Sequence, residues 1–161
     1  METINDIIIN AKSSFLKDKS NIQKSLFFFI YEIIIENKSD KTFQLMSRHW
    51  EISDANKNTQ IIDGEGVVGE RPILKPGDSF NYNSFCPIKT EFGTMSGFYI
   101  FKEHSTDSLF KAIIPEFVLV ATIIFSNFFD LDTLSIISCS NGILFTLSIT
   151  FPGNLLDCIL A

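Results

Sequence analysis

The chain reads as an all-β domain, a sandwich or barrel of about seven short strands. Three observations predict this. Of 161 residues, 17 are Phe, and Ile is also frequent while Ala is scarce; aromatic and β-branched side chains fit a pleated surface and lose rotamer freedom in helices. Apolar residues recur with period two, and no helical period persists for more than a turn or two before residue 121. Clusters of Asn, Asp, Gly and Pro punctuate the apolar runs at a spacing of about 8–15 residues, as a sandwich requires.

Each element follows in order. Residues 4–10 form a short β-branched run and a plausible first strand. The polar stretch Lys17-Asp18-Lys19-Ser20-Asn21 reads as a loop. The clearest strand spans 26–36, where Phe27, Phe29, Tyr31, Ile33 and Ile35 make one apolar face and Glu32 and Glu36 mark the wet one. Asn37-Lys38-Ser39-Asp40 supplies a turn. The strand at 43–52 changes parity: Phe43 and Leu45 are apolar at odd positions, Trp50 and Ile52 at even ones. One extra residue does this, so a β-bulge is predicted around Ser47-Arg48-His49. A turn at 54–58 leads to a short strand at 59–62 and then to the glycine-dense loop 63–69. Further strands are expected at 80–83, 95–101 and 110–114, with Pro115 marking an edge or a bend.

Charge and cysteine usage narrow the function classes. The net charge is −6, so duplex nucleic acid, which needs clustered Lys and Arg, is excluded as a partner. All 13 Lys and Arg lie at or before Lys111. The three cysteines, Cys86, Cys139 and Cys158, form no CxxC pair and no zinc-ligand spacing with histidine. A sparse, odd cysteine count suits a reducing compartment, and the opening Met1-Glu2-Thr3-Ile4-Asn5-Asp6 lacks a basic signal-peptide region; a cytoplasmic location is expected.

The ordered motifs Ile33-Ile34-Ile35-Glu36-Asn37, Gln44-Leu45-Met46-Ser47-Arg48-His49-Trp50, Gly64-Glu65-Gly66-Val67-Val68-Gly69-Glu70-Arg71-Pro72, Leu74-Lys75-Pro76-Gly77, Phe92-Gly93-Thr94-Met95-Ser96-Gly97 and Ile114-Pro115-Glu116-Phe117 resemble the bacterial ApaG family over about residues 5–120. The resemblance implies an immunoglobulin or fibronectin type III-like β-sandwich across 4–121. It also implies an association with cobalt and magnesium resistance and with a neighbouring diadenosine-tetraphosphate hydrolase, and an interaction role like that of related domains in an F-box protein and a polymerase-delta-interacting protein. Phe85 departs from the pattern, standing where Gly is expected.

Candidate chemistry is thin. Gly64, Gly66 and Gly69 match a dinucleotide fingerprint as a string, but Val67, Val68 and Pro72 do not start the helix its mechanism requires. A tight inter-strand loop is the simpler reading; an anion-binding nest helped by Arg71 and Arg48 is the sharper one. Asp63, Glu65 and Glu70 offer oxygen ligands for a divalent cation without a defined ligand set, so no metal site is assigned. Arg48 and His49 either belong to a recognition surface displayed by the bulge, or serve structure alone, with Trp50 in the core, Arg48 covering it or bridging loops, and His49 half exposed. With two histidines and no activated Ser or Cys, no catalytic residue is assigned and no cofactor is expected. The expected function is a non-enzymatic module that binds or regulates a protein partner, with a phosphate or nucleotide binder using the glycine loop as the alternative.

Residues 122–161 lie outside the family pattern. They are apolar and carry Glu-free, base-free sequence with only Asp130, Asp132 and Asp157 charged. The uncharged stretch 134–152 approaches the length of a membrane span, but serines dilute it and no basic flank anchors it. Three readings stay open: an extension translated outside the natural frame, extra elements packed on the sandwich, or a tail anchor. The composition favours the first two.

Overall fold

Side chains that alternate between two environments make a strand, and residues 27–37 do so without a break: Phe27, Phe29, Tyr31, Ile33, Ile35 and Asn37 are all buried and the residues between them are not. The computed structural model describes residues 1–122 in full and, beyond them, the backbone of 133–140 and 143–150. The chain divides into two units, Met1–Ala121 and Thr122–Ala161.

The first unit holds nine strands: β1 (Glu2–Thr3), β2 (Ile7–Phe15), β3 (Phe27–Asn37), β4 (Phe43–Asp54), β5 (Thr59–Glu65), β6 (Ile73–Leu74), β7 (Ser79–Ile88), β8 (Phe92–Glu103) and β9 (Leu109–Val120). One sheet has the order β2-β3-β7, and the other β1-β9-β8-β4-β5 with β6 also on β4. The two sheets face each other as an immunoglobulin/fibronectin type III-like sandwich. Phe29, Ile33, Ile35, Leu45, Trp50, Tyr99, Phe101, Ile114 and Leu119 are each at most 2% exposed and form its core.

Several boundaries differ from the sequence expectation for physical reasons. The first long strand runs to Phe15 rather than Asn10, because β3 supplies a partner for every residue from Ile7 (opposite Asn37) to Phe15 (opposite Phe29). The polar stretch after it contains two single 3-10 turns, Lys17–Lys19 and Ile22–Lys24. The parity change in β4 is real, and the register shift falls between Leu45 and Ser47, slightly earlier than expected. Asp63, Gly64 and Glu65 belong to β5, paired with His49, Arg48 and Ser47, so the loop is shorter than its glycines imply. Pro115 lies in β9 where the register against β8 shifts between Met95 and Gly97.

Buried polar groups at the ends of the sheets are matched. Asn37, fully buried, donates through Nδ2 to the carbonyls of Lys41 (2.7 Å) and Leu74 (3.0 Å), while its Oδ1 accepts from the Ser39 hydroxyl (2.6 Å). The side of the sandwich formed by β2 and β9 is drawn together, with Ser13 Oγ donating to the Val118 carbonyl at 2.5 Å. Among the described residues, the edges of β5 and β7 on the opposite side are not drawn together in this way.

In the second unit, β10 (Thr133–Ser140) and β11 (Ile143–Thr150) pair antiparallel, Thr133 opposite Thr150 and Ser140 opposite Ile143. Among the described residues no helix is long and apolar enough to cross a membrane. The three readings of the tail otherwise fall outside the described residues.

Candidate functional site

The bulge in β4 decides which way each residue of Ser47-Arg48-His49-Trp50 points. After it, Trp50 and Ile52 face inward and are buried. Side chains alternate along a strand, so Arg48 faces inward with them and His49 faces out.

Arg48 enters a cleft of about 290 Å³ between the sheets on the open side of the sandwich. Tyr31, Trp50, Ile62, Val67, Tyr82 and Met95 are among the residues that line it. Val68 and Phe85 sit at its rim, 64% and 61% exposed. Arg48 Nη1 donates to the carbonyl oxygens of Glu65 (3.0 Å) and Gly66 (2.7 Å). Its guanidinium packs over Gly64, where any β-carbon would meet it. The indole Nε1 of Trp50 is buried without a hydrogen-bond partner among the described residues. The indole is surrounded instead by the rings of Tyr31, Tyr99 and Phe117, at centroid distances of 5.5, 6.2 and 6.0 Å.

The glycine loop has a local explanation. Val67 and Glu70 exchange main-chain hydrogen bonds of 2.8 and 2.9 Å around Val68 and Gly69. Both central residues have positive φ, 50° and 80°, as a type I′ turn demands. Gly66, at φ 55°, lies so close to the Glu70 carbonyl that a β-carbon would come within 2.1 Å of it. The residues that follow are a turn and β6, not a helix. Arg71 pairs with the Glu65 carboxylate.

The outward face is a separate arrangement. His49 Nδ1 meets Asp63 Oδ1 at 2.6 Å and Nε2 meets Glu51 Oε1 at 3.4 Å. The imidazole stacks on Phe98 at 4.6 Å between centroids, and Lys111 Nζ lies 3.7 Å from the Phe98 centroid. The hydrogen bond to Asp63 raises the imidazole above its ordinary value of 6.5.

The residues singled out from sequence therefore divide. Arg48, Gly64, Gly66 and Arg71 are neighbours, Gly69 lies at the tip of the turn, and His49 stands on the opposite face of the sheet. Among the described residues, no three His, Cys, Asp or Glu side chains converge to hold a metal ion. A second hollow, about 370 Å³, is bordered by Asp54, Asn58 and Lys89. The Asp54 carboxylate there already accepts from the amide of Asn56 and from the amide and side chain of Asn58, each at 2.9 Å. Sequence reading missed the cleft itself; the shared parity of Arg48, Trp50 and Ile52 was its only local signal.

Comparison with known proteins places this geometry in a family. Residues 17–103 match the model of the ApaG domain, and the chain belongs to the ApaG domain family. It is 44% identical over 114 residues to the protein ApaG of Beijerinckia indica, covering 71% of this chain and 87% of that one. It is 41% identical over 119 residues to the protein ApaG of Bdellovibrio bacteriovorus, covering 74% and 93%. Among solved structures, the putative ApaA protein from Bordetella pertussis superposes with a TM-score of 0.71 at 32% identity, covering 76% of this chain and 98% of that one.

Proposed function

We propose that the domain is a non-enzymatic, cytoplasmic interaction module that docks a protein partner along the edge formed by β5 and β6. The observation that carries this reading is the character of that edge. Among the described residues β5 pairs only with β4, and one side of its main chain has no strand beside it. An unpaired strand edge is a template for an added strand, whose main chain supplies affinity and whose side chains supply specificity. Ile61 on β5 and Ile73 on β6 are 60% and 51% exposed. Their cross-strand partners, Glu51 and Gln44, place both on the outer face of the sheet. The partner is thus an extended segment with apolar side chains on one face.

Among the described residues both ring nitrogens of His49 are engaged by carboxylates, Asp63 and Glu51, an arrangement that fits the non-enzymatic reading. The link to cobalt and magnesium levels implied by the family resemblance is exerted through the partner.

The test is retention of proteins from the source cells by the immobilised full chain, compared with the double variant Ile61→Lys/Ile73→Lys. Exposed substitutions of this kind change stability by about 0.5 kcal/mol or less. The wild type retains a protein that the variant releases, at an unchanged melting temperature. Identical retention by the two would refute the edge as the docking surface.

A further inference from the structure

Among the described residues, Arg48 is a cation without an anion. Glu65 and Gly66 meet its Nη1 with carbonyl oxygens only. Among the described residues no carboxylate comes within 4.0 Å of it, because the Glu65 carboxylate is turned to Arg71. Its Nε and Nη2 hydrogens have no acceptor among the described residues.

The other ionisable groups lining the cleft are Tyr31, Tyr82 and Cys86. Burial raises both phenols, and it pushes the Cys86 thiol up to about 11. All three are neutral at physiological pH, so the cleft carries one positive charge. Arg48 is half-buried, and even partial removal of a charge from water is costly unless it is paired. A guanidinium keeps its charge in proteins, and its planar fork matches a carboxylate.

Apart from Ser84 and the hydroxyls of Tyr31 and Tyr82, the rest of the cleft is apolar. Ile52, Ile62, Val67 and Met95 line it beside Trp50, and the exposed Phe85 and Val68 extend the apolar surface to the rim. Its volume of about 290 Å³ stands near the lower limit for ligand pockets, about 300 Å³, so the occupant is small. A single charge calls for a monoanion. A phosphate dianion would gain no second cation among the residues that line the cleft.

From this geometry we infer that the cleft is a binding site for a small apolar monocarboxylate, held by the Arg48 fork with its hydrocarbon body between the sheets. The site lies behind β5 rather than on its edge. It therefore goes beyond the docking function and does not depend on it.

The protein contains one Trp, so Trp50 gives a single indole N–H resonance. The full chain, labelled with nitrogen-15, is titrated with octanoate and separately with 1-octanol. Octanoate produces saturable shifts at the Trp50 indole and the Gly66 amide, and octanol binds at least about tenfold more weakly, the minimum expected of a charge-assisted pair. Arg48→Gln removes that preference. Gly64→Ala would put a β-carbon 2.8 Å from Arg48 Cζ; it displaces the fork while keeping the charge, and it weakens octanoate severalfold. It provides the decisive variant if Arg48→Gln does not fold. Equal affinity for octanoate and octanol would leave only an apolar crevice and overturn the proposal. So would the absence of any saturable shift, or unchanged octanoate binding by Arg48→Gln or, where that variant does not fold, by Gly64→Ala. The Ile61→Lys/Ile73→Lys variant keeps octanoate binding whether or not it retains a partner.

Discussion

The hydroxyls of Tyr82 and Tyr99 meet at 2.5 Å between the two sheets, one from β7 and the other from β8. Each is buried, and burial raises both phenols well above their ordinary value. They therefore act as a neutral donor–acceptor pair. Removing one hydroxyl leaves the other unmatched, which costs about 1–3 kcal/mol, whereas replacing both by rings of the same shape is nearly neutral. Tyr82→Phe and Tyr99→Phe are each expected to destabilise by about 1–2 kcal/mol in urea unfolding. The double variant should cost less than the sum. Strict additivity would mean that the two hydroxyls do not depend on each other.

Gly97 stands opposite Trp50 in the β4–β8 pairing. A β-carbon there would lie 2.0 Å from the His49 carbonyl oxygen. The obstacle is main chain, and β4 is held by neighbours on both sides, so it cannot move away cheaply. Gly97→Ala is expected to cost about 3 kcal/mol or more, the upper end for overpacking. Gly64→Ala, whose β-carbon meets only the flexible end of Arg48, should cost much less. Comparing the two denaturation midpoints checks the distinction.

How far these relationships could be read without a structure depends on their range along the chain. The alternation in 27–37 needs only neighbouring residues, and the buried face of β3 is the one the sequence predicts. The bulge was visible because Leu45 and Trp50 cannot share a face without an extra residue, yet parity cannot say which residue is extra. Asp63, Gly64 and Glu65 looked like loop because Asp and Gly disfavour strands; pairing with β4 overrides that preference. The cleft was hidden for a different reason. Tyr31, Arg48, Tyr82 and Phe85 come from three strands, and their meeting depends on β3 choosing β7 and β4 choosing β8. No local pattern encodes that choice. The family resemblance carries the fold but does not say that Arg48 would face inward without a carboxylate.

Val68 holds φ at 50°, a left-handed conformation that costs a β-branched residue about 1–2 kcal/mol. It also stands at the rim of the cleft, where strain is retained if the side chain has a task. Val68→Gly relieves the strain and loses about 0.5–1 kcal/mol through the freer unfolded chain. A net gain of about 0.5–1 kcal/mol is expected, measured as a higher urea midpoint. A loss of stability would mean that the Val68 side chain contributes more packing than its exposure implies.

His49 provides the pH dependence. The Asp63 hydrogen bond is the largest cause of its raised value, ahead of the opposing desolvation and the contact with Glu51. A group raised on folding binds its proton more tightly in the folded state. The stabilisation it adds is complete below the unfolded value of about 6.5 and is lost as pH rises through the higher folded value. Following the Cε1 protons by NMR, with the two histidines assigned by substitution, should show His49 titrating above 6.5. In Asp63→Asn the midpoint should fall, because the neutral amide no longer favours the imidazolium. Glu51→Gln should move it less, since Glu51 stands farther away, at 3.4 Å against 2.6 Å. Because His49 points away from the cleft, neither substitution should alter the Trp50 indole resonance by more than a small through-sheet shift. A large change there would show that the two faces of β4 are coupled.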